Sequence, residues 1–389
     1  MISVKLEDIV ELIRNGANIK NDKEHSGIPI TRIETIADGT VDLNRVGFAD
    51  ITEDKYKDYY IKKNDILMSH INSIKHLGKT AFCDNDLELI HGMNLLMIRP
   101  NNNICSKYLY YYFNSKTFRN KLINISKQSV NQSSFTVNDL KNMEIKICDY
   151  DKQLIIAKRL DKISDLIKLR KKEIENFDDL KESQFIAMFG DILSNNIKYN
   201  KYELSKVADI CSSKRIYASE YVEKGVPFYR SKEIIELGHN KKPSVELFIT
   251  EDKYEEVKEK YGVPKKGDIL VTAVGTIGET WIVNSNTPFY YKDGNLLLVR
   301  LKKYMSEIFF KYSLDILIDD FKRKIVSGSS YSALTIEKFK TMKVVYPPIE
   351  EQNRFAKFVE KVNKQKLECE ENLKKLEELQ SALMQEYFG

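Results

Sequence analysis

The pattern of apolar and polar positions divides the chain into two kinds of segment. Short apolar runs, such as ILMS at 66–69 and LLMIR at 95–99, alternate with turn residues and with aromatic stretches such as YLYYYF at 108–113. This pattern predicts short strands mixed with helices. Residues 151–189 and 350–388 contain no proline or glycine, which predicts two long helices. The fold class indicated is α+β, without regular strand–helix alternation.

The whole pattern occurs twice, displaced by about 200 residues. SSFTVNDLKNM at 133–143 returns as SALTIEKFKTM at 332–342, and ITEDKY at 51–56 recurs unchanged at 249–254. A repeat this long is a duplicated domain rather than a solenoid unit. We predict two similar globular domains, 1–150 and 191–347, with long helices at 151–190 and 348–389. Each copy is predicted to open with an amphipathic helix, at 6–13 and at 204–211.

The two long helices have apolar positions at heptad-like spacing, which favours an antiparallel coiled coil with a pseudo-twofold axis between the copies. In that arrangement the helices would act as a spacer that fixes the distance between the two globular domains. A plain linker role is the alternative, although linkers are rarely this apolar. The residues predicted for helix pairing or partner binding are Ile156, Ile163, Phe177, Leu180, Phe355, Phe358, Val362, Leu376, Leu379 and Leu383.

Composition limits the class of protein further. The net charge is only +5, from 62 basic and 57 acidic residues, so nucleic-acid binding would need a local basic surface. The five cysteines are scattered without zinc spacing, which indicates a reduced, intracellular chain. The first residues lack the apolar core of a signal peptide, and no apolar run is long enough to cross a bilayer. We therefore expect a cytoplasmic protein.

Motifs for chemistry are missing from the sequence. It contains no phosphate-binding GxxxxGK[ST] loop, no GxGxxG after a strand and no helical histidine pair for a metal. The predicted catalytic and metal-binding sets are therefore empty. Two similar but unequal copies suit a target with two unequal halves, and two-part nonpalindromic DNA is the obvious candidate.

Several short motifs, repeated in the same order, carry a family resemblance. KKNDIL at 62–67 returns as KKGDIL at 265–270, NLL at 94–96 returns at 295–297, and GTIG stands at 275–278. PPIEEQ at 347–352 introduces the second long helix, whereas the first copy keeps only Gln153 of that run. The chain resembles the DNA specificity subunit of type I restriction–modification systems.

The resemblance implies a non-catalytic subunit with two target-recognition domains, each reading one half of a bipartite site in double-stranded DNA. The paired helices would bind two methyltransferase subunits, which restriction subunits would join. Methylation would fall on adenine N6, with S-adenosylmethionine held by the partner and no cofactor bound by this chain.

Candidate DNA contacts are polar and basic residues in the loops where the two copies differ most. Arg and Lys suit guanine or phosphate, Asn and Gln suit adenine, and small polar groups suit either. The candidates are Arg32, Ser69, His70, Asn72, Lys75, Gln128, Asn131 and Gln132 in the first copy, and Lys214, Arg215, Arg230, Lys232, Thr272, Thr276, Ser329 and Tyr331 in the second.

Two alternative functions remain open from the sequence. One is the specificity subunit of another two-part system, in which a single partner both methylates and cuts DNA. The other, from a different class, is a non-catalytic scaffold whose modules on a coiled-coil arm bind proteins, which the mild net charge allows.

Overall fold

The computed structural model describes residues 1–20, 27–51, 53–93, 95–128, 132–194, 197–302, 304–326 and 333–389. The chain forms two compact units. The first unit contains residues 1–172 and 370–389, and the second contains residues 173–369. Each unit therefore combines one globular copy with pieces of both long helices, which cover Tyr150–Phe189 and Ile349–Phe388. The predicted division into four consecutive segments stays a prediction.

A four-stranded antiparallel sheet organises each unit. In the first unit its order is Val10–Asn15, Leu95–Pro100, Ile66–Ser69 and Thr80–Phe82. In the second unit it is Ala208–Cys211, Leu296–Leu301, Ile269–Thr272 and Thr280–Ile282. The two inner strands are buried on both faces, which explains their continuous apolar runs.

The remaining elements surround these sheets. In the first unit the other strands are Ile2–Lys5, Ile28–Ile30, Gly47–Ala49, Ile71–Asn72, Lys127–Gln128, Ser133–Ser134 and Glu144–Ile147, and the other helices are Leu6–Ile9, Ile33–Ile36, Glu53–Tyr59, Ser106–Phe113, Lys116–Ile125 and Val137–Lys141. In the second unit the other strands are Lys201–Glu203, Val226–Tyr229, Phe248–Ile249, Tyr290–Tyr291 and Lys343–Val345, and the other helices are Leu204–Val207, Ala218–Glu220, Ser231–Gly238, Glu251–Tyr261, Glu307–Val326 and Ile336–Thr341.

The predicted opening helices are wrong beyond their first turn. One turn, Leu6–Ile9 or Leu204–Val207, leads directly into a strand of the main sheet. In the first copy, a shift of register between Val10 and Leu12 buries Val10 and Ile13 within a strand. That bulge gives a strand the three-residue spacing of a helix, so the apolar pattern was misread.

A buried ion pair explains the repeated KK(N/G)D turn. The carboxylate of Asp65 accepts the backbone N–H of Lys62 at 2.7 Å and receives both Nε and Nη2 of Arg99 at 2.7 Å. Asp268 does the same with Lys265 and with Arg300, the last residue of the repeated NLLLVR run. Asn64 and Gly267 have φ values of 72° and 93°, as the turn requires. The motif therefore closes one end of the sheet.

The glutamine that both copies keep joins the start of each long helix to the domain. Gln153 donates to the carbonyl of Cys148 at 2.8 Å and accepts from the backbone N–H of Cys105 at 2.9 Å. Gln352 donates to Pro347 at 2.7 Å and accepts from Ser306 at 3.0 Å. Both glutamines are buried, so the first helix keeps this junction although it lacks the rest of the PPIEEQ run.

The long helices lie antiparallel within each unit. In the first unit Arg159 donates to the hydroxyl of Tyr387 at 3.1 Å, and Gln380 donates to Ser164 at 2.9 Å. In the second unit Lys366 contacts Asp178 at 2.6 Å, and the rings of Phe185 and Phe355 lie 5.3 Å apart.

The end of each long helix completes the core of a unit. Phe388 packs its ring 5.2 Å from Tyr108 and 5.8 Å from Tyr112 in the first unit. Phe189 lies 4.7 Å from Phe309 in the second. The aromatic stretch at 108–113 is therefore domain core, as the sequence predicted.

The predicted helix-pairing residues separate by burial. Ile156, Ile163, Phe355 and Val362 are buried, and Phe177, Phe358, Leu376 and Leu383 are partly buried. Leu180 and Leu379 are about half exposed and lie outside the seam. Leu160 and Ile167 are buried in the first helix, which the heptad count missed. The partner-binding role of the exposed pair stays a prediction.

Candidate nucleic-acid interface

One edge of the main sheet gathers the candidate loops of the first unit. Asn15 pairs with Leu96, and Leu95 pairs with Ser69, so three strands end or begin at the same edge. The backbone N–H of Gly92 donates to the hydroxyl of Thr31 at 2.8 Å, which brings Arg32 to this edge. Segments far apart in sequence therefore share one surface.

The second unit builds the same edge. Cys211 pairs with Leu298, and Leu296 pairs with Thr272. The hydroxyl of Ser213 donates to the carbonyl of Tyr291 at 2.6 Å, which places Lys214 and Arg215 beside this strand entry. The backbone N–H of Lys292 donates to the carbonyl of Tyr229 at 2.9 Å. This bond brings Arg230 and Lys232, which come just after Tyr229 in the sequence, to the same edge.

A hairpin projects from this edge in each unit, with one framework and two different tips. Ser69 N–H donates to Lys79 O at 2.8 Å, and Gly78 N–H donates to Ser69 O at 2.8 Å. Thr272 makes the matching pair with Glu279 at 2.9 Å and Gly278 at 2.7 Å. Both glycines have positive φ, 75° and 88°, so the closing turn requires them. The first tip is three residues longer, so the copies diverge at the tip and agree at the base.

The second predicted loop of each copy joins its hairpin. In the first unit Ser133 is in register with Asn72 on one side and Gln128 on the other, which forms a small three-stranded sheet. Residues in register project to the same face. Gln128 is exposed in this sheet, and Gln132, the residue before Ser133, is also exposed. In the second unit Leu334 N–H donates to Ala273 O at 2.9 Å. Asn131, Ser329 and Tyr331 lie outside the described residues.

Three of the candidates lie in the interior of these hairpins. Ser69, His70 and Thr272 are buried. The hydroxyl of Thr272 donates to Thr276 O and accepts Glu279 N–H at 2.9 Å, so it shapes the loop that exposes Thr276. The amide of Asn72 is likewise engaged by Ser69 at 3.3 Å and by Ser73 N–H at 2.8 Å.

All three candidate arginines already have acidic neighbours. Arg215 contacts Asp293 at 2.8 Å, and Arg32 contacts Glu34 at 3.7 Å. Arg230 bonds both Glu233 and Glu246, and these hydrogen bonds raise the pKa of its guanidinium. A phosphate would have to compete with these carboxylates.

The three candidate lysines differ in their acidic neighbours. Lys232 shares Glu246 with Arg230, at 2.9 Å. Lys75 and Lys214 are exposed and have no carboxylate partner among the described residues. These two lysines are therefore the candidates best suited to bind phosphate.

One residue that positions the first tip was missed from the sequence. Arg119, on the helix Lys116–Ile125, donates to the carbonyls of Ile74 at 3.3 Å and Lys75 at 2.6 Å. It therefore holds the hairpin tip from outside the hairpin. No periodicity or motif marks this arginine, because the contact exists only once the helix packs beside the hairpin.

We expect Lys75→Ala to weaken DNA binding by the assembled complex and to lower the salt dependence of binding by about one unit, because one phosphate contact is lost. Affinities measured from low to moderate salt would show this. Lys63→Ala should leave the slope unchanged, because Lys63 is an exposed lysine just before the strand Ile66–Ser69, at the end opposite to the hairpin that carries Lys75. A loss at Lys75 confined to one base pair, with an unchanged slope, would instead identify a base contact.

The buried His91 predicts a pH dependence of the first unit. Its Nε2 is 2.9 Å from the carbonyl of Leu95, and its Nδ1 has no partner among the described residues. Burial lowers the pKa of His91 from 6.5 to about 4. Below pH 6.5 His91 binds a proton in the unfolded chain but stays neutral in the folded chain. The free energy of unfolding therefore falls as the pH drops toward 4. We expect a loss of about 2 kcal/mol between pH 7 and pH 5.

Urea unfolding at both pH values measures that loss. His91→Gln should reduce the dependence, since its amide can donate to Leu95 and does not titrate, whereas His70, whose pKa burial also lowers, remains. His239→Gln, an exposed histidine of the second unit, should keep the wild-type dependence. An unchanged pH dependence in His91→Gln would show that other groups cause it.

Comparison with known proteins identifies the class that this architecture defines. The family model for the type I restriction modification DNA specificity domain matches the chain twice, over residues 2–176 and 196–380. The chain belongs to this family. It is a DNA specificity subunit of the type I restriction–modification class, whose role is sequence-specific recognition of DNA without catalysis of its own. Its partners are DNA and the restriction–modification complex.

Individual relatives agree with this assignment. A putative type I restriction enzyme specificity subunit of Methanocaldococcus jannaschii is 31% identical over 373 residues, which cover 91% of this chain and 84% of the relative. The EcoKI specificity subunit of Escherichia coli is 23% identical over 44% of this chain and 38% of its own length. The solved S subunit from M. genitalium has the same fold, with a TM-score of 0.59, 16% identity and coverage of 100% of this chain and 96% of that one.

Among the described residues, no helix combines the length and apolar character needed to cross a membrane.

Proposed function

We propose that each unit reads one half of a bipartite, nonpalindromic DNA site. The main support is that each unit has its own hairpin at the equivalent edge of its sheet. The two hairpins have the same closing bonds, but their tips differ in length and residue type. Equal frameworks with unequal tips suit two different half-sites. The exposed groups available for reading include Gln128 and Thr276, whose side chains can bond base edges in the major groove.

We propose further that two methyltransferase subunits dock on the long helices and methylate adenine N6 at the selected site. S-adenosylmethionine would be bound by those subunits. An exposed apolar row supports a docking role: Leu166 and Leu169 are 50% and 64% exposed on the first helix. Leu169 lies on the side away from the buried Ile163 and Ile167, and Leu166 lies at the border between that side and Ile163. Charged neighbours elsewhere on the helix would form the rim of such an interface.

Methylation-sensing sequencing tests the reading role in cells. DNA from cells with this chain and its methyltransferase is compared with DNA from cells that lack only this chain. Loss of adenine methylation at a split motif would support the proposal and give both half-sites. Replacing residues 128–133 by residues 328–332 should then alter one half-site only. Unchanged methylation without the chain, or a change in both halves after the replacement, would contradict it.

We expect Leu169→Glu to weaken methyltransferase binding at least tenfold, because a carboxylate would enter an apolar contact. The thermal midpoint of the chain itself should hardly change, since Leu169 is mostly exposed. Lys168→Glu adds the same acid one position along, on another face of the helix, and serves as the control. Equal binding by wild type and Leu169→Glu would remove this face from the interface.

A further inference from the structure

Both reading hairpins carry an exposed aliphatic side chain among their polar groups. Ile74 is 41% exposed in the first tip, and Val274 is 40% exposed in the second. Both are β-branched, so each presents a stiff apolar surface with few rotamers. Folding alone does not require them there, because the apolar side chains that anchor the tips, Leu77 and Ile277, are the ones that contact the cores.

The first tip is held in a fixed conformation. Arg119 bonds the carbonyls of Ile74 and Lys75, as described above. Ser73 accepts the backbone N–H groups of His76 at 2.8 Å and Leu77 at 3.0 Å through its carbonyl. The second tip is joined to Ala333 through a backbone bridge at Val274. A fixed exposed aliphatic group can select a partner by shape, whereas a mobile one would lose the binding energy to ordering.

The chemistry of duplex DNA limits what such a group can recognise. In the major groove, the 5-methyl group of thymine is the apolar feature that marks one base, and aliphatic side chains contact it. A polar group at the same place would favour other bases. We infer that Ile74 and Val274 are thymine-reading residues, each packing against the 5-methyl group of a thymine in the half-site of its own unit. This inference rests on the proposed reading of DNA by each unit.

Deoxyuridine is the probe that isolates this contact, because it lacks the methyl group but pairs like thymine and leaves the minor groove unchanged. Affinities are measured for the assembled complex on duplexes in which single thymines are replaced. Wild type should lose about three- to fivefold at one thymine of the half-site read by the first unit, the worth of one buried methyl group. Ile74→Ala should lose about as much on the thymine duplex and nothing further on the deoxyuridine duplex.

Matched variants complete the test. Ile74→Val should keep most of the discrimination, and Val274→Ala should act on the other half-site only. Ile2→Ala, an exposed isoleucine of the strand Ile2–Lys5, should bind both duplexes like wild type. Thermal midpoints of the variants should match wild type, since all these side chains are exposed.

Several results would overturn the inference, and each tip is judged separately. The first is a half-site that contains no thymine. The second is a wild-type complex whose affinity does not change on deoxyuridine duplexes. The third is an Ile74→Ala complex whose affinity falls on deoxyuridine duplexes as much as that of wild type. In that last case Ile74→Ala loses equally on both duplexes, so its contact does not involve the methyl group, as for a wedge in the minor groove. In all these cases the wild-type complex still binds its site specifically. Absence of any specific binding would refute the proposed function itself.

Discussion

Phe355→Asp should unfold the second unit or reduce its stability by more than about 4 kcal/mol, the usual cost of removing a buried phenylalanine. The ring of Phe355 is fully buried and lies 5.3 Å from Phe185, 5.2 Å from Tyr312 and 5.6 Å from Phe189. Phe355 lies on the second long helix, and these partners come from the first long helix and from the helix Glu307–Val326. A carboxylate there would be buried without a cation.

Urea unfolding of the full chain measures this effect, and DNA binding by the complex should fail with it. Arg354→Asp, at the exposed neighbouring position, adds the same acid and should change stability by less than about 1 kcal/mol. Leu376→Asp, at a partly buried position of the first unit, should lie between the two. Wild-type stability of Phe355→Asp would show that the aromatic cluster does not hold this unit together.

Arg99→Ala should cost the first unit about 3–5 kcal/mol, because it leaves the fully buried carboxylate of Asp65 without its cation. Arg300→Ala should act similarly on the second unit through Asp268. The surface pair of Lys302 and Asp209, at 2.7 Å with both side chains exposed, gives the contrast. Lys302→Ala should cost less than about 1 kcal/mol.

The double variant Asp65→Leu with Arg99→Met distinguishes a need for the ion pair from a need for volume. It should recover most of the stability lost in Arg99→Ala, because no charge remains buried alone. Unfolding curves of the single and double variants in urea give the comparison. Equal losses at Arg99 and Lys302, or a double variant worse than Arg99→Ala, would contradict this account.

The sequence predicted those features that depend on local order and on repetition. Two copies of one pattern implied two similar domains, and the absence of proline and glycine implied two long helices. The KK(N/G)D turn was also readable, because its positive-φ residue, Asn64 or Gly267, is a local requirement. The aromatic stretch at 108–113 was correctly assigned to the core from its helical spacing.

Features that depend on pairing between distant segments were misread or missed. Val10 and Ile13 looked helical because a bulge in a strand gives the same spacing. Arg99 and Asp65 showed no relation until two strands of one sheet brought them together. Arg119 reached the hairpin tip only through packing of its helix.

The sequence by itself determined that the chain has two similar copies, two long helices and a resemblance to a DNA specificity subunit, because repetition and periodicity are written in residue order. Only the tertiary structure decided which residues share a surface. Ser69 and Thr272 are buried, Lys75 is exposed, and Arg230 donates hydrogen bonds to Glu233 and Glu246. These outcomes depend on strand register and on which charges meet. Neither is fixed by the local sequence, since each follows from contacts between segments far apart in the chain.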